Sequence, residues 1–410
     1  MVKILTVSYG YGKRDIGGAA KSFLNIISAL KKTKNFQIEI LYLKPFKQFS
    51  SLYGIVFFLY VPKILKKINK IKPNIILTQT SPALPTIIAS IIKKIPVINI
   101  IRDIHLICPK YVDVIDYGKR CKGLKHRKIC YNCINYWRSL RVFIGNKPNG
   151  WQFSFKASLK TIGYKIRYFL CKFHLSLIKR ATINLVASKL MKSFISTQVD
   201  FEKLKTINIT PIKYTGFNEI KEKKENQLLF VAPRYEPSYK GIDFILKLAD
   251  SLSDDYKIVI VGHLIDFNKV KVDKSKIINL GKVTENEINN LYQTSKITLV
   301  PTFCTEAFGR VIIESLLNRT PVISSPNCGA NEYLERKQFL KVLPLKLNLW
   351  KETIKEMIEN PPVINDDDVS SIYELFSINK AIEDLSNLVK SLLKDKFTKM
   401  YGYSYNKKLS

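Results

Sequence analysis

Long hydrophobic runs are missing from this 410-residue sequence. The longest unbroken one, from Ile55 to Val61, reaches back only through Gly54, Tyr53 and Leu52. A membrane-crossing helix needs about 20 apolar residues, so no spanning segment is expected. The opening from Met1 to Ser8 is too short and turns polar too soon for a signal peptide, and it reads as a first buried strand. Without an export signal, the seven cysteines are expected as reduced thiols in a cytoplasm rather than as a disulfide framework. No repeat of solenoid period is visible. A zinc finger with its histidine spacing, an RNP-type strand and a glycine–arginine tract are also lacking, so the usual nucleic-acid reading modules are absent. What is present is a 46% hydrophobic content, which excludes wholesale disorder and fibrous classes. The length suggests two or three domains at roughly 100–200 residues each.

Acidic residues are scarce in one half only. Residues 1–220 hold 39 Lys+Arg against 8 Asp+Glu, and residues 221–410 hold 28 against 25. The formal charge of +34 therefore sits almost wholly in the first half. Such a field attracts polyanions, either nucleic acid or the anionic inner leaflet of a membrane; a solvated lysine-rich surface is the plainer reading. With no nucleic-acid module in view, an anionic membrane surface is the preferred partner and nucleic acid is not expected.

Two stretches bear on that choice. Between Phe49 and Lys72, the apolar run from Leu52 to Val61 is followed by Lys63, Lys66, Lys67, Lys70 and Lys72. Between Lys156 and Arg180, Leu159, Ile162, Ile166, Phe169, Leu170, Phe173 and Leu177 recur at helical spacing, with Lys160, Lys165, Arg167, Lys172, Lys179 and Arg180 among them. An apolar face flanked by cations suits a helix lying in a bilayer interface. It equally suits an amphipathic helix packed on a sheet.

Strand and helix signals alternate along the chain. Strands are expected at Lys3–Ser8, Phe36–Leu43, Asn74–Thr78, Val97–Ile101 and Thr182–Ser188, with helices at Ala19–Lys32 and Pro82–Lys93. A charged run from Ile220 to Asn226 reads as a linker. A second set follows, at Gln227–Ala232, Lys257–Gly262, Ile277–Leu280, Ile297–Pro301 and Pro321–Ser325, and Phe376–Leu393 reads as a final helix. Alternation of this kind argues a mostly parallel sheet wrapped by helices. The expected fold class is α/β, with two doubly wound, Rossmann-like domains facing across a cleft. Residues 1–220 form a basic domain with a cysteine-containing insertion near 108–133. Residues 221–375 form a second domain, and 376–410 a carboxy-terminal helix with a basic tail. Ligands of such sheets sit at the carboxyl ends of the strands.

The segment from Leu299 to Ser325 is the most informative. A strand ends at Pro301, a loop holds Glu306, and Gly309 allows close backbone approach. A helix expected to start near Phe308 offers free amides and a partial positive end to an anion. Glu314 lies further along it. Acceptor-only carboxylates at two points suit one elongated, hydroxyl-rich ligand. Taken alone, the spacing also fits a helix-end charge and an Arg310–Glu314 pair at i,i+4.

In context, Glu306 and Glu314, separated by seven residues around Phe308 and Gly309, resemble the signature of the family 4 retaining glycosyltransferases of the GT-B fold (glycosyl transferases group 1). Arg234, Lys240 and Gly241 are similar to that family's cation pair after the first strand of the donor domain. The run from Leu280 to Val283 with Glu287, Leu291 and Tyr292 is similar to its segment beside the nucleotide base. The stretch from Pro321 to Glu332 resembles its donor-closing loop, and Gly17 with Gly18 its amino-terminal glycine loop. The resemblance is strong over residues 228–335 and weaker before them.

It implies a retaining hexosyltransferase that moves a sugar from a nucleotide-diphosphate donor to an acceptor hydroxyl. Arg234 and Lys240 would bind the diphosphate, Glu314 the ribose, and Glu306 with the amides of Phe308 and Gly309 the donor sugar. The Gly17–Gly18 backbone would approach the phosphates or the acceptor. The resemblance also implies that no divalent metal is needed for catalysis. Many relatives carry His-Asp where this chain has Arg102 and Asp103, with His105 two residues on. Alignment favours Arg102 under the reacting sugar, oriented by Asp103. The basic half would take an acceptor glycan or lipid-linked acceptor, in polysaccharide or lipid-glycan synthesis, peripheral to the inner face of the membrane. Two alternatives stand beside this: a sugar-nucleotide epimerase of the same fold, and a non-enzymatic nucleic-acid-binding protein.

Cys108, Cys121, Cys130 and Cys133 fall in one cation-rich window, and Cys130 with Cys133 makes the C-x-x-C bite of a tetrahedral metal site. A structural zinc is the first expectation there, an iron–sulfur cluster the second, and unliganded thiols the remaining reading. Cys171, Cys304 and Cys328 read as small apolar fillers.

Overall fold

The computed structural model describes residues 1–9, 18–44, 57–79, 82–102, 114–116, 119–120, 168–198, 202–212, 214, 222–223, 226–232, 240–262, 272–334 and 337–406. Two six-stranded sheets, all of whose pairings are parallel, organise the chain. The first contains β1 (Val2–Tyr9), β2 (Phe36–Leu43), β3 (Ile75–Gln79), β4 (Val97–Ile100), β7 (Ile183–Val186) and β8 (Leu204–Thr206). Its order is β2-β1-β3-β4-β7-β8. The two short strands between β4 and β7, β5 (Val114–Asp116) and β6 (Lys119–Arg120), pair antiparallel with each other as a separate ribbon. The second sheet contains β9 (Gln227–Val231), β10 (Lys257–Val261), β11 (Ile277–Gly281), β12 (Ile297–Val300), β13 (Val322–Ser324) and β14 (Leu340–Val342), in the order β11-β10-β9-β12-β13-β14. In both sheets the order reverses direction beside the first strand, which opens a crevice at the carboxyl edge.

The central strands are apolar on both faces because helices cover both. In the first sheet, Ile4, Ile75, Leu77, Ile98 and Ile100 pack under α1 (Gly18–Lys32), which contributes Phe23, Ile26, Ile27 and Leu30. Leu5, Val7, Ile76 and Val97 point to the opposite face. There they meet α2 (Val61–Ile71), α3 (Ala83–Lys93), the helix spanning 168–178 (α4) and α5 (Lys189–Gln198). One polar pair crosses this interior: Asn99 and Asn184 are in register on β4 and β7, and Asn99 Nδ2 donates to Asn184 Oδ1 at 2.8 Å. A buried amide pair is tolerated when each partner has somewhere to bond; Asn184 Nδ2 also donates to the Ile178 carbonyl at 3.0 Å.

The second sheet is covered on one face by α6 (Ile242–Ser251) and α9 (Leu347–Glu359), where Trp350 is fully buried against Phe244 with ring centroids 5.0 Å apart. Tyr292 of α7 (Glu285–Thr294) closes a smaller cluster on the other face with Leu229, Val259 and Val261. Two further helices follow, α8 (Arg310–Leu317) and α10 (Asp366–Leu375), before the long last helix α11 (Ile378–Asn406).

The expected strands lie where the sequence placed them, within a residue or two at each end. Three findings refine the reading. The final helix starts at Ile378 rather than Phe376: Phe376 is the buried cap of α10, packed edge-on against Phe308 and Tyr333 at 5.3 Å each. That helix then returns to the first domain, where Leu385 and Val389 lie against Ile4, Leu30 and Phe36. Of the basic segment from Phe49 to Lys72, Val61–Ile71 forms α2, which buries Ile64 and Ile68 on the sheet, so the packed reading holds for that face, while residues 49–56, and 156–167 of the second basic stretch, lie outside the described residues. Within the charged run from Ile220 to Asn226, Lys223 is not a solvated linker residue. Its Nζ donates to the Ser295 carbonyl at 2.8 Å and to Thr320 Oγ1 at 2.7 Å, anchoring the entry to β9.

Candidate active site

A cleft of about 550 Å3 opens where the carboxyl ends of the two sheets face each other. From the first domain it takes Ile101 and Arg102 just past β4, Ala187 just past β7, and Thr210. From the second it takes Ala232, Gly262, Val300 and Thr302 at strand ends, and the loop from Glu306 to Val311. Its size falls within the range of small-molecule sites, on the order of 300–1,000 Å3. Among the described residues it is lined by four cationic side chains, Arg102, Lys240, Lys282 and Arg310, and two carboxylates, Glu306 and Glu314. The balance suits a ligand that carries several negative charges and a set of hydroxyls.

Lys240 stands at the amino end of α6, and its Nζ pairs with Glu306 Oε2 across the cleft floor. Side-chain exposures of 25% and 26% leave both groups within reach of a ligand. The next residue, Gly241, has φ +92° and caps α6. A Cβ there would come within 2.1 Å of the Pro301 carbonyl oxygen, so only glycine brings Lys240 down onto the end of β12. The lysine and the loop after β12 are thus built against each other.

The Glu306 loop is held from behind by the stretch after β13. Glu306 N–H donates to the Asn327 carbonyl at 2.8 Å, Gly329 N–H to the Glu306 carbonyl at 3.1 Å, and Ala330 N–H to the Phe308 carbonyl at 2.6 Å. Asn327 Nδ2 adds bonds to the carbonyls of Thr302 and Phe303, both at 3.0 Å. α8 begins at Arg310, two residues later than the sequence suggested, because Gly309 takes φ +92° as its cap. Phe308 is buried in an aromatic cluster with Tyr333 and Phe376. This fixes the backbone of 308 and 309 at the cleft wall, where the partial positive charge of the helix end favours an anion.

Glu314 is held by two side chains through three contacts. Arg310 Nε and Nη2 reach its Oε1 at 3.1 and 3.0 Å, and Tyr292 OH donates to its Oε2 at 3.3 Å. The i,i+4 ion pair anticipated as the plain reading is present, and the carboxylate still lines the cleft. Tyr292 is buried, and burial followed by the Glu314 charge pushes its hydroxyl well above the usual tyrosine range. It therefore stays a donor to Glu314 rather than facing a base. Burial likewise raises the Cys328 thiol to about 11, even with Lys240 nearby, so it remains a protonated apolar filler.

Of the residues singled out by sequence, the structure brings Lys240, Glu306, Phe308, Gly309, Glu314 and Arg102 into one cleft. Arg102 is 8% exposed and its guanidinium lies 5.9 Å from the Phe23 ring centroid. Gly18 is the first residue of α1. Arg234, Asp103, His105, Gly17 and the four cysteines Cys108, Cys121, Cys130 and Cys133 lie outside the described residues. The structure adds to the site Lys282, which lines it after β11, and Arg310, which the sequence marked only as an ion-pair partner; behind the cleft, Ser22 Oγ of α1 accepts from Arg310 Nη1 at 2.9 Å. Lys282 could have been found, since it lies inside the Leu280–Val283 stretch. Nothing local marks Ser22.

Residues 215–372 match the family model of the glycosyl transferases group 1. No curated protein matches in sequence. Solved structures match the fold across nearly the whole chain. Anabaena HepE (Alr3699), in complex with UDP and glucose, is 16% identical with a TM-score of 0.60, covering 95% of this chain and 100% of that one. A glycosyltransferase from Rickettsia africae is 16% identical with a TM-score of 0.64, covering 96% and 99%. The lipopolysaccharide outer core galactosyltransferase WaaB is 12% identical with a TM-score of 0.60, covering 95% and 99%. The fold is GT-B.

Proposed function

We propose that this protein is a retaining glycosyltransferase that moves a hexose from a nucleotide-diphosphate donor to an acceptor hydroxyl. The observation that carries the reading is the convergence of Lys240, Glu306, Glu314 and the amino end of α8 on one cleft between two facing sheets. Lys240, together with Arg234, binds the diphosphate and stabilises the charge that grows on the leaving nucleotide as the glycosidic bond breaks. Fixed cations at such a point act without reorganising, which makes this a large contribution to rate. Glu314, braced by Arg310 and Tyr292, accepts from the ribose hydroxyls. Glu306 and the backbone at Phe308 and Gly309 hold the donor sugar. Arg102 is the side chain under the reacting sugar in this reading, with Asp103 as the residue that orients it. That HepE was solved with UDP and glucose supports a uridine nucleotide as the first donor to test.

The acceptor belongs to a polysaccharide or lipid-linked glycan presented at the anionic inner face of a membrane. Support comes from the 39 cations against 8 acids in residues 1–220. It comes also from an apolar group that packing does not consume. Leu59, Phe169 and Phe173 are 71%, 54% and 47% exposed, Phe58 and Phe173 are in ring contact at 5.9 Å, and Lys63, Lys66 and Lys172 are exposed around them. Among the described residues no helix is long and apolar enough to cross a membrane, so attachment would be through such a face. The reading includes a structural zinc on Cys108, Cys121, Cys130 and Cys133, apart from catalysis.

A thermal-shift screen against nucleoside diphosphates and their sugars tests the donor site, since a ligand that binds only the folded form raises its melting temperature. A hit followed by release of nucleoside diphosphate only when an acceptor is supplied establishes transfer; release without an acceptor points to the epimerase-type chemistry instead. Flotation with anionic liposomes at low salt tests the membrane part, and no co-flotation would defeat it while leaving the enzyme intact.

A further inference from the structure

The amino end of α5, in the first domain, is closed by a residue of the second. A helix leaves its first-turn amides without acceptors of its own. Here Lys189 N–H donates to Glu332 Oε1 at 2.8 Å and Leu190 N–H to Glu332 Oε2 at 3.2 Å. The third amide, on Met191, donates to Ser188 Oγ at 3.1 Å. One carboxylate thus takes two amides across the domain boundary, at the end of the helix dipole that favours negative charge. Two neighbours cross with it: Tyr333 OH donates to the Ala187 carbonyl at 2.9 Å, and Ser188 Oγ donates to the Ala307 carbonyl at 2.8 Å. The fit is close. A Cβ on Gly329 would lie 2.4 Å from Ser188 Oγ and 2.5 Å from the Ala307 oxygen.

This contact is mechanically continuous with the site. Ala307 sits between Glu306 and Phe308, and the short helical turn that carries Glu332 (Gly329–Tyr333) supplies the amides that bind the Glu306 and Phe308 carbonyls. Ala187, on the other side, lines the cleft beside Arg102. Separating the domains would return two helix amides and a carboxylate to water, an exchange that is reversible.

We propose that Glu332 is a positioning residue that latches the domains in the closed arrangement and holds the Glu306 loop against the acceptor side of the cleft. The proposal rests on Glu306 being the sugar contact. Glu332 itself touches neither donor nor acceptor. Its loss should therefore lower turnover while leaving nucleotide affinity nearly unchanged.

The test uses the full chain with Glu332→Ala, Glu332→Gln and Tyr333→Phe. Small-angle scattering without ligand should show a larger radius of gyration for Glu332→Ala than for the wild type. Glu332→Gln, which keeps one acceptor oxygen, should fall between them. Calorimetry with UDP should give dissociation constants within about threefold of each other, as the diphosphate and ribose contacts are untouched. With the donor found by screening, kcat should drop about ten- to hundredfold in Glu332→Ala at a donor KM within about threefold. Scattering and kcat identical to wild type in Glu332→Ala would overturn the latch and leave a plain helix cap. If Glu332→Ala does not fold, Tyr333→Phe decides: a smaller expansion supports the latch, and no expansion overturns it. Failure of the wild type to bind any nucleoside diphosphate would count against the functional reading, while the ligand-free scattering comparison would still decide the latch.

Discussion

Arg310 joins Glu314 to Ser22. From one guanidinium, Nε and Nη2 grip the Glu314 carboxylate on the same helix, and Nη1 donates to Ser22 Oγ on α1 of the other domain at 2.9 Å. The carboxylate assigned to ribose is therefore oriented by a side chain that also reports on the position of the amino-terminal domain. On the proposed reading, Glu314→Ala should raise the donor KM at least tenfold with a smaller fall in kcat, because a carboxylate that binds the ribose would hold it equally in the ground and transition states. Ser22→Ala should act in the same direction and more weakly, by about two- to fivefold, as it removes one neutral partner of Arg310. Steady-state kinetics over donor concentration check both; a kcat loss at constant KM for Glu314→Ala would displace it from the ribose site.

Lys240→Ala and Arg234→Ala should each slow transfer by about 10²–10³, the scale of losing one group that stabilises developing charge. For Lys240→Ala a second effect follows from the structure: Glu306 loses its ion-pair partner and becomes an uncompensated carboxylate beside the diphosphate. A Lys240→Ala, Glu306→Gln double variant should therefore lose less than the product of the single losses. Near-native rates for both single cation variants would mean the site lies elsewhere.

Lys223 gives a pH prediction. Burial, and then the charge of Lys296, pushes its pKa down from 10.5 to about 8. Between about pH 8 and 10.5 the unfolded chain binds the proton that the folded chain has released, so this group makes stability rise with pH through that window. The limiting size is about 3 kcal/mol, at about 1.4 kcal/mol for each tenfold change in proton affinity. Urea unfolding of wild type and Lys223→Met from pH 7 to 11 reads it as a difference that grows in favour of the wild type above pH 8. A flat difference would show an ammonium that is well solvated.

Metal content checks the cysteine window. Protein purified without chelator should carry about one equivalent of zinc, lost on replacing Cys130 and Cys133 with serine. Zinc and iron both well below one equivalent would remove the site.

The strands of both sheets were legible because covering helices on each face demand continuous apolar runs, and runs such as Ile75–Gln79 or Lys257–Val261 stand out between polar turns. Leu204–Thr206 and Leu340–Val342 were not, since three residues carry no periodicity. The stretch between Ser325 and Glu374 gave no element either, although Asn365 and Asp368 form a capping box that marks the start of α10. In the site, Glu306, Glu314 and Lys240 were legible through the resemblance of their motifs to a family signature, since the spacing of the two carboxylates alone also fits a helix-end charge and an ion pair. Ser22, Ser188 and Glu332 were not: each acts across a boundary between residues far apart in the chain, and no local pattern encodes such a meeting. In the basic segment ending at Lys72, Val61–Ile71 is helical, but an apolar face flanked by cations could not decide between a sheet and a bilayer as the surface it covers.

The return of α11 to the first sheet means that the amino-terminal domain is assembled from both extremities of the polypeptide. While the chain is being synthesised, Ile4, Leu30 and Phe36 wait without their cover until the segment bearing Leu385 and Val389 emerges. Cutting the molecule at the boundary between its halves would leave an incomplete first half with a wet, oily groove, so the basic half should be insoluble when expressed alone and rescued by supplying residues 378–406 in trans.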